Sequence, residues 1–362
     1  MGKNSAPEQG GEQPTLPTHG AEILPDVEVD SYSVELEDEE GFAGDKANKG
    51  AFLKILDEIR KPLRELGEDP LGSKPSAEIG RKKLGTLLTK GDPEAAAVVQ
   101  SAVEDFAQQL QKVIRRFLKL KAWRDTQCIV VGGGFRASRV GELAIARAGI
   151  ILKTAGIETS IQLIHNDPDD AGLIGTAYLL PAWMVEGYDA MLAADIGGTN
   201  IRAGIVELNT AKAKDLSKAR ALDLQHWCHQ EDDGIKRDSA VERLVEMLTS
   251  LIEAAKKRSL RLAPVIGIGC PGAIRHDGSI VRGAQNLPGN WESDKFNLPQ
   301  AIRELIPRIG EHETIVVMHN DAVVQGLSEI PYVADCQRWG ILTIGTGLGN
   351  ARFSARQKAK SQ

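Results

Sequence analysis

Asp195-Ile196-Gly197-Gly198-Thr199-Asn200 separates two apolar runs, Asp189 to Ala194 and Ile201 to Val206. The pattern predicts a β-hairpin whose turn holds a phosphate. Adjacent glycines can reach positive φ and let the backbone approach a ligand, and the N–H groups of such a turn form an anion-binding nest. A carboxylate beside bound phosphates repels them unless a divalent cation lies between, so Asp195 points to Mg²⁺, held directly or through water. The plain alternative is a hairpin with a Gly-Gly turn and no ligand, and a short glycine motif cannot by itself decide against it.

With 362 residues and a formal charge of −6, the chain is long enough for two units of ordinary size and lacks the basic balance that nucleic acid or an anionic membrane selects for. Its four cysteines, Cys128, Cys228, Cys270 and Cys336, are far apart in sequence and form no C-x-x-C pair, which predicts reduced thiols and a cytoplasmic protein. No apolar run approaches a membrane span, and the opening residues lack a signal peptide's apolar core. The myristoylation pattern fails at Ala6.

Residues 1–48 are acidic and rich in Pro and Gly, with the charge run Glu35 to Glu40, and are expected to be partly disordered. Within them Val27 to Val34 alternates as an edge strand would. Phe52, Leu53, Leu56, Ile59 and Leu63 predict a helix, and Ala95 to Leu120 a second one, started by Asp92 as N-cap and Pro93 at the first turn. Cys128 to Gly134 reads as a buried strand ending in three glycines, followed by a helix over 139–155. Such a turn lets a nucleotide approach the backbone, although the dinucleotide pattern G-x-G-x-x-G is absent. Ile161 to His165 reads as a strand, and Asp170 to Leu180 as a helix whose glycines imply close packing or close ligand approach. Later come a helix over 244–255, a strand over 263–269, a loop at Asn286 to Trp291, a strand Ile315 to Met318 that delivers His319-Asn320-Asp321, and a helix over 322–330. A second strand–glycine turn–strand unit, Trp339 to Phe353, repeats the logic of the first.

Asp195-Ile-Gly-Gly-Thr-Asn, Cys270-Pro-Gly, Asn286-Leu-Pro-Gly-Asn-Trp, Asn320-Asp321-Ala and Gly345-Thr-Gly-Leu-Gly together resemble the motifs of ROK-family sugar kinases, glucokinase-like members of the sugar kinase/actin/Hsp70 ATPase superfamily. Their order and spacing match that family's N-terminal half. Gly132-Gly-Gly134 and Asp170-Ala-Gly-Leu-Ile-Gly175 resemble its C-terminal half yet come first here. The chain therefore looks circularly permuted, cut after the second hairpin and fused near Met184 to Tyr188, over roughly residues 50–353. Permutation is tolerated where termini lie close together on a surface. The resemblance implies an α/β fold of two RNase H-like (actin-like ATPase) lobes with a cleft between them. Residues 49–186 would be the C-terminal-type half on the adenosine side, 187–319 a small lobe with the first hairpin, and 320–362 a return to the large lobe.

The resemblance also implies roles. Asp321 would be the general base for a sugar hydroxyl, the alternative being a helix N-cap. Asp195 would position Mg-ATP. Gly197, Gly198, Thr199 and Asn200 would form the first phosphate loop, Gly345, Thr346 and Gly347 the second, and Gly133 and Gly134 the adenosine side. Asn286, Gly289, Asn320 and Asp321 would meet the sugar, and Trp291 would shape the pocket or simply pack. Two departures stand out. The family's Glu-x-Gly-His motif and its Cys-rich zinc loop do not follow the second hairpin. Thr18-His-Gly-Ala-Glu-Ile23 supplies Glu22 as a replacement for the sugar-contacting glutamate, and zinc is not expected. His226-Trp-Cys-His229 is the only other metal-like spacing. The implied activity is ATP-dependent phosphorylation of a hexose or related sugar by a cytoplasmic homodimer with no nucleic-acid or membrane partner. The rivals are a sugar-sensing regulator, which would add a helix-turn-helix, and a degenerate scaffold that keeps only the fold.

Overall fold

The computed structural model describes residues 16–38, 41–232 and 234–356. The opening up to Thr15, Glu39 and Glu40 of the acidic run, and the polar tail from Gln357 lie outside the described residues. The chain order begins with β1 (Val27–Tyr32), β2 (Glu37–Asp38) and β3 (Gly41–Phe42), then helices α1 (Lys49–Leu66), α2 (Arg81–Lys90) and α3 (Pro93–Lys119). Next come β4 (Cys128–Gly132), α4 (Arg139–Thr154), β5 (Ser160–Leu163) and α5 (Pro168–Ile174). They are followed by β6 (Ala190–Ile196), β7 (Asn200–Glu207), β8 (Arg220–Cys228), α6 (Arg237–Lys257) and β9 (Leu262–Cys270). The chain continues through α7 (Leu298–Leu305), β10 (Arg308–Ile309), β11 (His312–Glu313), β12 (Ile315–Asn320), α8 (Asp321–Leu327), β13 (Arg338–Ile344) and β14 (Leu348–Ala355).

The main strands form two five-stranded sheets, ordered β1-β14-β13-β4-β5 and β12-β9-β6-β7-β8. Both have the same plan. Each contains an antiparallel hairpin, β13–β14 or β6–β7, extended on one side by an antiparallel edge strand, β1 or β8, and on the other by two parallel strands. Val27–Tyr32 is therefore the edge strand its alternation suggested. Asp92 caps α3 as expected, accepting from the amides of Glu94 and Ala95. β8, α2 and α7 were not anticipated.

Side chains on successive strand residues point to opposite faces, and here both faces are buried. Ile129, Val131, Leu342 and Ile344 join α1–α4 in one core, while Val130 and Ile341 turn the other way. In the second sheet Leu192, Ala194, Ile266 and Met318 meet α6 and α7, whereas Met191, Ala193, Val265 and Val317 turn toward α5 and α8. Helices α5 and α8 thus lie between the sheets and share one core with both. Their contact is closer than ordinary side chains permit. A Cβ on Gly175 would lie 1.8 Å from the Val324 carbonyl oxygen, and one on Gly267 of β9 2.4 Å from Thr176 Cβ. The small residues of the 170–180 segment serve packing, and the helix tightens into a 3₁₀ turn at Gly175–Leu179.

Gly175→Ala is expected to lower stability by about 1–3 kcal/mol through overpacking against backbone, read as a lower urea midpoint. Gly80→Ala, where a Cβ meets nothing within 4 Å, should leave the midpoint nearly unchanged.

Candidate active site

The tips of the two hairpins meet. Thr199 Oγ1 and Thr346 Oγ1 are hydrogen-bonded at 2.8 Å, joining the β6–β7 turn of one sheet to the β13–β14 turn of the other. Each turn is closed by a single amide, Gly197 N to Asn200 O at 2.8 Å and Gly345 N to Gly347 O at 2.9 Å. Among the described residues the amides of Gly198, Thr199, Thr346 and Gly347 have no acceptor, which leaves four donors at one place, as an anion site requires. Gly197 and Gly198 do not use the left-handed region, contrary to expectation. The loop is wider than a two-residue turn, so positive φ is not needed. What their size permits is approach: a Cβ on Gly198 would lie 3.0 Å from Asn286 Cβ.

The hairpin is held from behind by residues of the His226-Trp-Cys-His229 stretch and its neighbour. His229 Nε2 donates to Gly197 O at 2.9 Å, Gln230 Nε2 to Gly198 O at 3.2 Å, and His226 Nε2 to Asn200 Oδ1 at 2.9 Å. The two histidines therefore act on the hairpin as hydrogen-bond donors. Among the described residues no cluster of three or more His, Cys, Asp or Glu side chains is arranged for a metal ion.

Asp195 is the penultimate residue of β6, on the face toward α5. It is 4% exposed and lies against Gly172, where a Cβ would come within 2.5 Å of its carboxyl carbon. Its cross-strand neighbour Arg202 reaches it at 3.6 Å and Asp169 at 2.7 Å. Arg202 was missed in the sequence, yet the hairpin register that pairs Ile196 with Ile201 puts it directly opposite. Burial pushes the Asp195 carboxyl up, Arg202 opposes this, and Asp169 adds to it. Asp321 opens α8 and is half-buried. Burial, then the nearby Asp195, push its carboxyl up to about 7, against hydrogen bonds that lower it. The Asp195 carboxylate and the Asp321 backbone both border Gly269 near the end of β9, and the two acids raise the buried thiol of Cys270 beyond the effect of its own burial.

Asp321 is not the helix cap. That task falls to Asn320, whose Oδ1 accepts from Ala322 N at 3.0 Å and Val323 N at 3.2 Å. Asn320 Nδ2 donates to Gly272 O at 3.0 Å and to Ser33 Oγ at 3.1 Å. With 2% exposure and its side chain fully engaged, Asn320 orients the start of α8. Ser33 belongs to the N-terminal segment, which is tied down nearby. His319 Nε2 donates to Ala21 O at 3.0 Å, Met318 N donates to His19 Nδ1 at 3.1 Å, and the Tyr32 hydroxyl bonds Ile274 backbone at 3.2 Å. Glu22 is exposed on this strap, close enough to Tyr32 to raise its phenol beyond the effect of burial.

The remaining residues divide. Asn286 is exposed beside the first hairpin, and Gly289 turns its loop at φ 74 against Arg237. Trp291 is 1% exposed, donates to Pro288 O at 2.7 Å and packs on Phe296, so it is core. Gly133 has φ 81 and is pressed onto Ile344, where a Cβ would lie 2.6 Å from backbone nitrogen. It forms a tight turn, while Gly134 stays partly exposed and its carbonyl accepts from Arg81. Next to this turn is a cavity of about 170 Å³ lined by Lys49, Phe52, Arg81, Phe135 and Ser138 among others. Lys49 N also donates to Gly345 O at 2.9 Å, joining the cavity wall to the second hairpin.

Because Asp321 holds its proton up to about pH 7 in the folded chain and releases it near the ordinary 3.8 when unfolded, its burial lowers stability as pH rises through that window, and the loss is complete above it. Asp321→Asn removes the charge and keeps the shape. Thermal melts should show the variant more stable than wild type at pH 8, with the gain shrinking toward pH 4. A pH-independent difference would contradict the assignment.

No family model matches the chain. A glucokinase from Thermotoga maritima is 27% identical over 161 residues, 44% of this chain and 43% of that protein. The chain thus spans less than half the length of the curated relative it matches. Among solved structures, a ROK hexokinase from Thermus thermophilus aligns at a TM-score of 0.32 and 22% identity, over 44% of this chain and 45% of that one. A Listeria monocytogenes protein described as an N-acetylmannosamine kinase aligns at 0.32 and 26% identity, over 46% and 47%. Superpositions at these scores carry no argument of their own. The chain is thus similar to a glucokinase over part of its length, in addition to carrying motifs that resemble those of ROK-family sugar kinases.

Proposed function

We propose that the chain is an ATP-dependent sugar kinase in which the two hairpin tips hold the phosphates and Asp321 is the general base. The observation that carries this reading is the convergence of four unpartnered tip amides from two sheets, beside a carboxyl poised near neutral pH. In the transfer, a sugar hydroxyl gives its proton to the Asp321 carboxylate while its oxygen bonds to the γ-phosphorus. The bond from that phosphorus to the β–γ bridging oxygen breaks, and ADP leaves. A base near pH 7 is matched to that task. Asn320 fixes the start of the helix that carries it.

Mg²⁺ fits the site in the manner usual for that ion, through one or two carboxylates, water and the substrate's own phosphates. A buried and a half-buried carboxylate that repel each other, with Arg202 only partly offsetting Asp195, form an under-compensated negative site. Asp195 would hold the ion, directly or through water, and the ion would neutralise charge on the phosphates. Asn286 and Glu22, both exposed, would meet the sugar along with Gly289, and Gly134 with the adjoining cavity would take the adenosine. For ATP to enter, the Thr199–Thr346 bond must part.

The permuted order belongs to the same proposal. In the second sheet the shared plan runs in chain order as β6, β7, β8, β9 and β12. In the first sheet the equivalent order is β13, β14, β1, β4 and β5, which becomes continuous only if the end of the chain is joined to its beginning. Residues 49–186 with 320–362 would then form one lobe and 187–319 the other. A homodimer is proposed on the ROK resemblance alone, and a cytoplasmic setting on the scattered, unpaired cysteines.

A coupled ADP-release assay with Mg-ATP and a panel of hexoses and N-acetylhexosamines tests the reading. Turnover with one sugar is expected, with kcat/KM rising toward a midpoint near pH 7. In Asp321→Asn it should fall by about 10²–10⁴-fold while calorimetry still detects Mg-ATP binding. Full turnover in the variant would sink the base assignment. Sugar binding without turnover in the wild type would favour the sensor.

A further inference from the structure

A second cavity lies away from the hairpins. A space of about 850 Å³ lies at the other ends of β7 and β14, walled by Val27, Tyr178, Leu180, Val333 and Trp339 among others, and Cys336 lines it. Cys336 is only partly buried and packs on the same core as the fully buried Cys128. The two are 208 residues apart in sequence, by subtraction of their positions, yet they belong to one core and lie close enough for Cys336 to act on the Cys128 thiol. The contact is fixed by neighbouring backbone. Cys128 opens β4 opposite Trp339 of β13, while Gln127 N donates to Arg338 O at 2.8 Å and Arg338 N to Gln127 Oε1 at 3.0 Å. The turn bearing Cys336 is closed by Cys336 N to Val333 O at 2.8 Å.

We propose that Cys336 is a thiol-modification site, reached through this cavity by a low-molecular-weight disulfide such as oxidised glutathione, and that Cys128 resolves the adduct into an intramolecular disulfide. In the first step the Cys336 thiolate attacks the reagent, forming a mixed disulfide and releasing one glutathione thiolate. In the second the Cys128 thiolate attacks Cys336 Sγ, and the second glutathione thiolate leaves. The two protein thiol protons end on the two released glutathiones, so one reagent disulfide is reduced for one protein disulfide formed. The order follows from accessibility and acidity: Cys128 is fully buried, and burial together with its contact to Cys336 pushes its thiol well up. It cannot initiate, and its resolving step is the slower one.

Cys228 supplies an internal reference, since it is also partly buried but sits at the end of β8 in the other sheet. The folded full-length chain, incubated with oxidised glutathione, alkylated and mapped by mass spectrometry without reduction, should yield a Cys128–Cys336 linked peptide two hydrogens lighter than its parts. A Cys336 mixed disulfide should precede it in time. Cys336→Ser should abolish the link and leave Cys128 unmodified, and Cys128→Ser should stop at the mixed disulfide. The proposal is overturned if wild-type Cys336 stays a mixed disulfide with no link to Cys128, or stays free while Cys228 reacts.

Discussion

The close approach of α5 and α8 between the two sheets is the constraint on which the site depends. Interiors are packed as densely as organic crystals, so a pair of helices shared by two sheets must have surfaces that fit both. At Gly172 and Gly175 the absence of a side chain lets α5 come against the Asp195 carboxyl and the Val324 carbonyl. The same packing puts the end of β6 and the start of α8 next to each other, and with them Asp195 and Asp321. Two acids that repel are thus held together out of bulk water, Asp195 buried and Asp321 half-buried, and their raised proton affinity is a consequence of where the helices must lie.

The second determinant is the N-terminal strap. β1 completes the edge of the first sheet, while the residues on either side of it bond the end of β12 in the second. Asn320 is the junction. Its amide nitrogen reaches both the strap and the Gly272 carbonyl, and its oxygen caps α8. A buried amide with every bond filled is a rigid element, because any displacement leaves a polar group unpaired. The direction of α8, and so of Asp321, rests on a segment whose composition suggested a loose tail.

The two hairpins, the core helices and the buried strands were legible because their periodicity is strong and their flanking Gly, Pro and Asp residues have specific backbone roles. β8 was not, since Asp223 adopts φ 50 and the register shifts where β8 pairs with β7, which breaks the two-residue period. The helix of Leu298–Leu305 was too short for its period to register. At the site, Asp195 and Asp321 stood out by motif, whereas Arg202 needed the hairpin register and the tasks of Asn320, His226 and His229 needed the folded contacts. The placement of Cys128 and Cys336 in one core was beyond sequence spacing, because it depends on which strands become neighbours.

Phosphorus NMR of the wild-type chain with Mg-ATP and a sugar tests the central claim most directly, because it follows the transferred group itself. The γ-phosphate signal of ATP is predicted to give way to that of a sugar phosphate monoester as ADP appears. Unchanged ATP with every sugar offered to the folded chain, or release of inorganic phosphate alone, would contradict it.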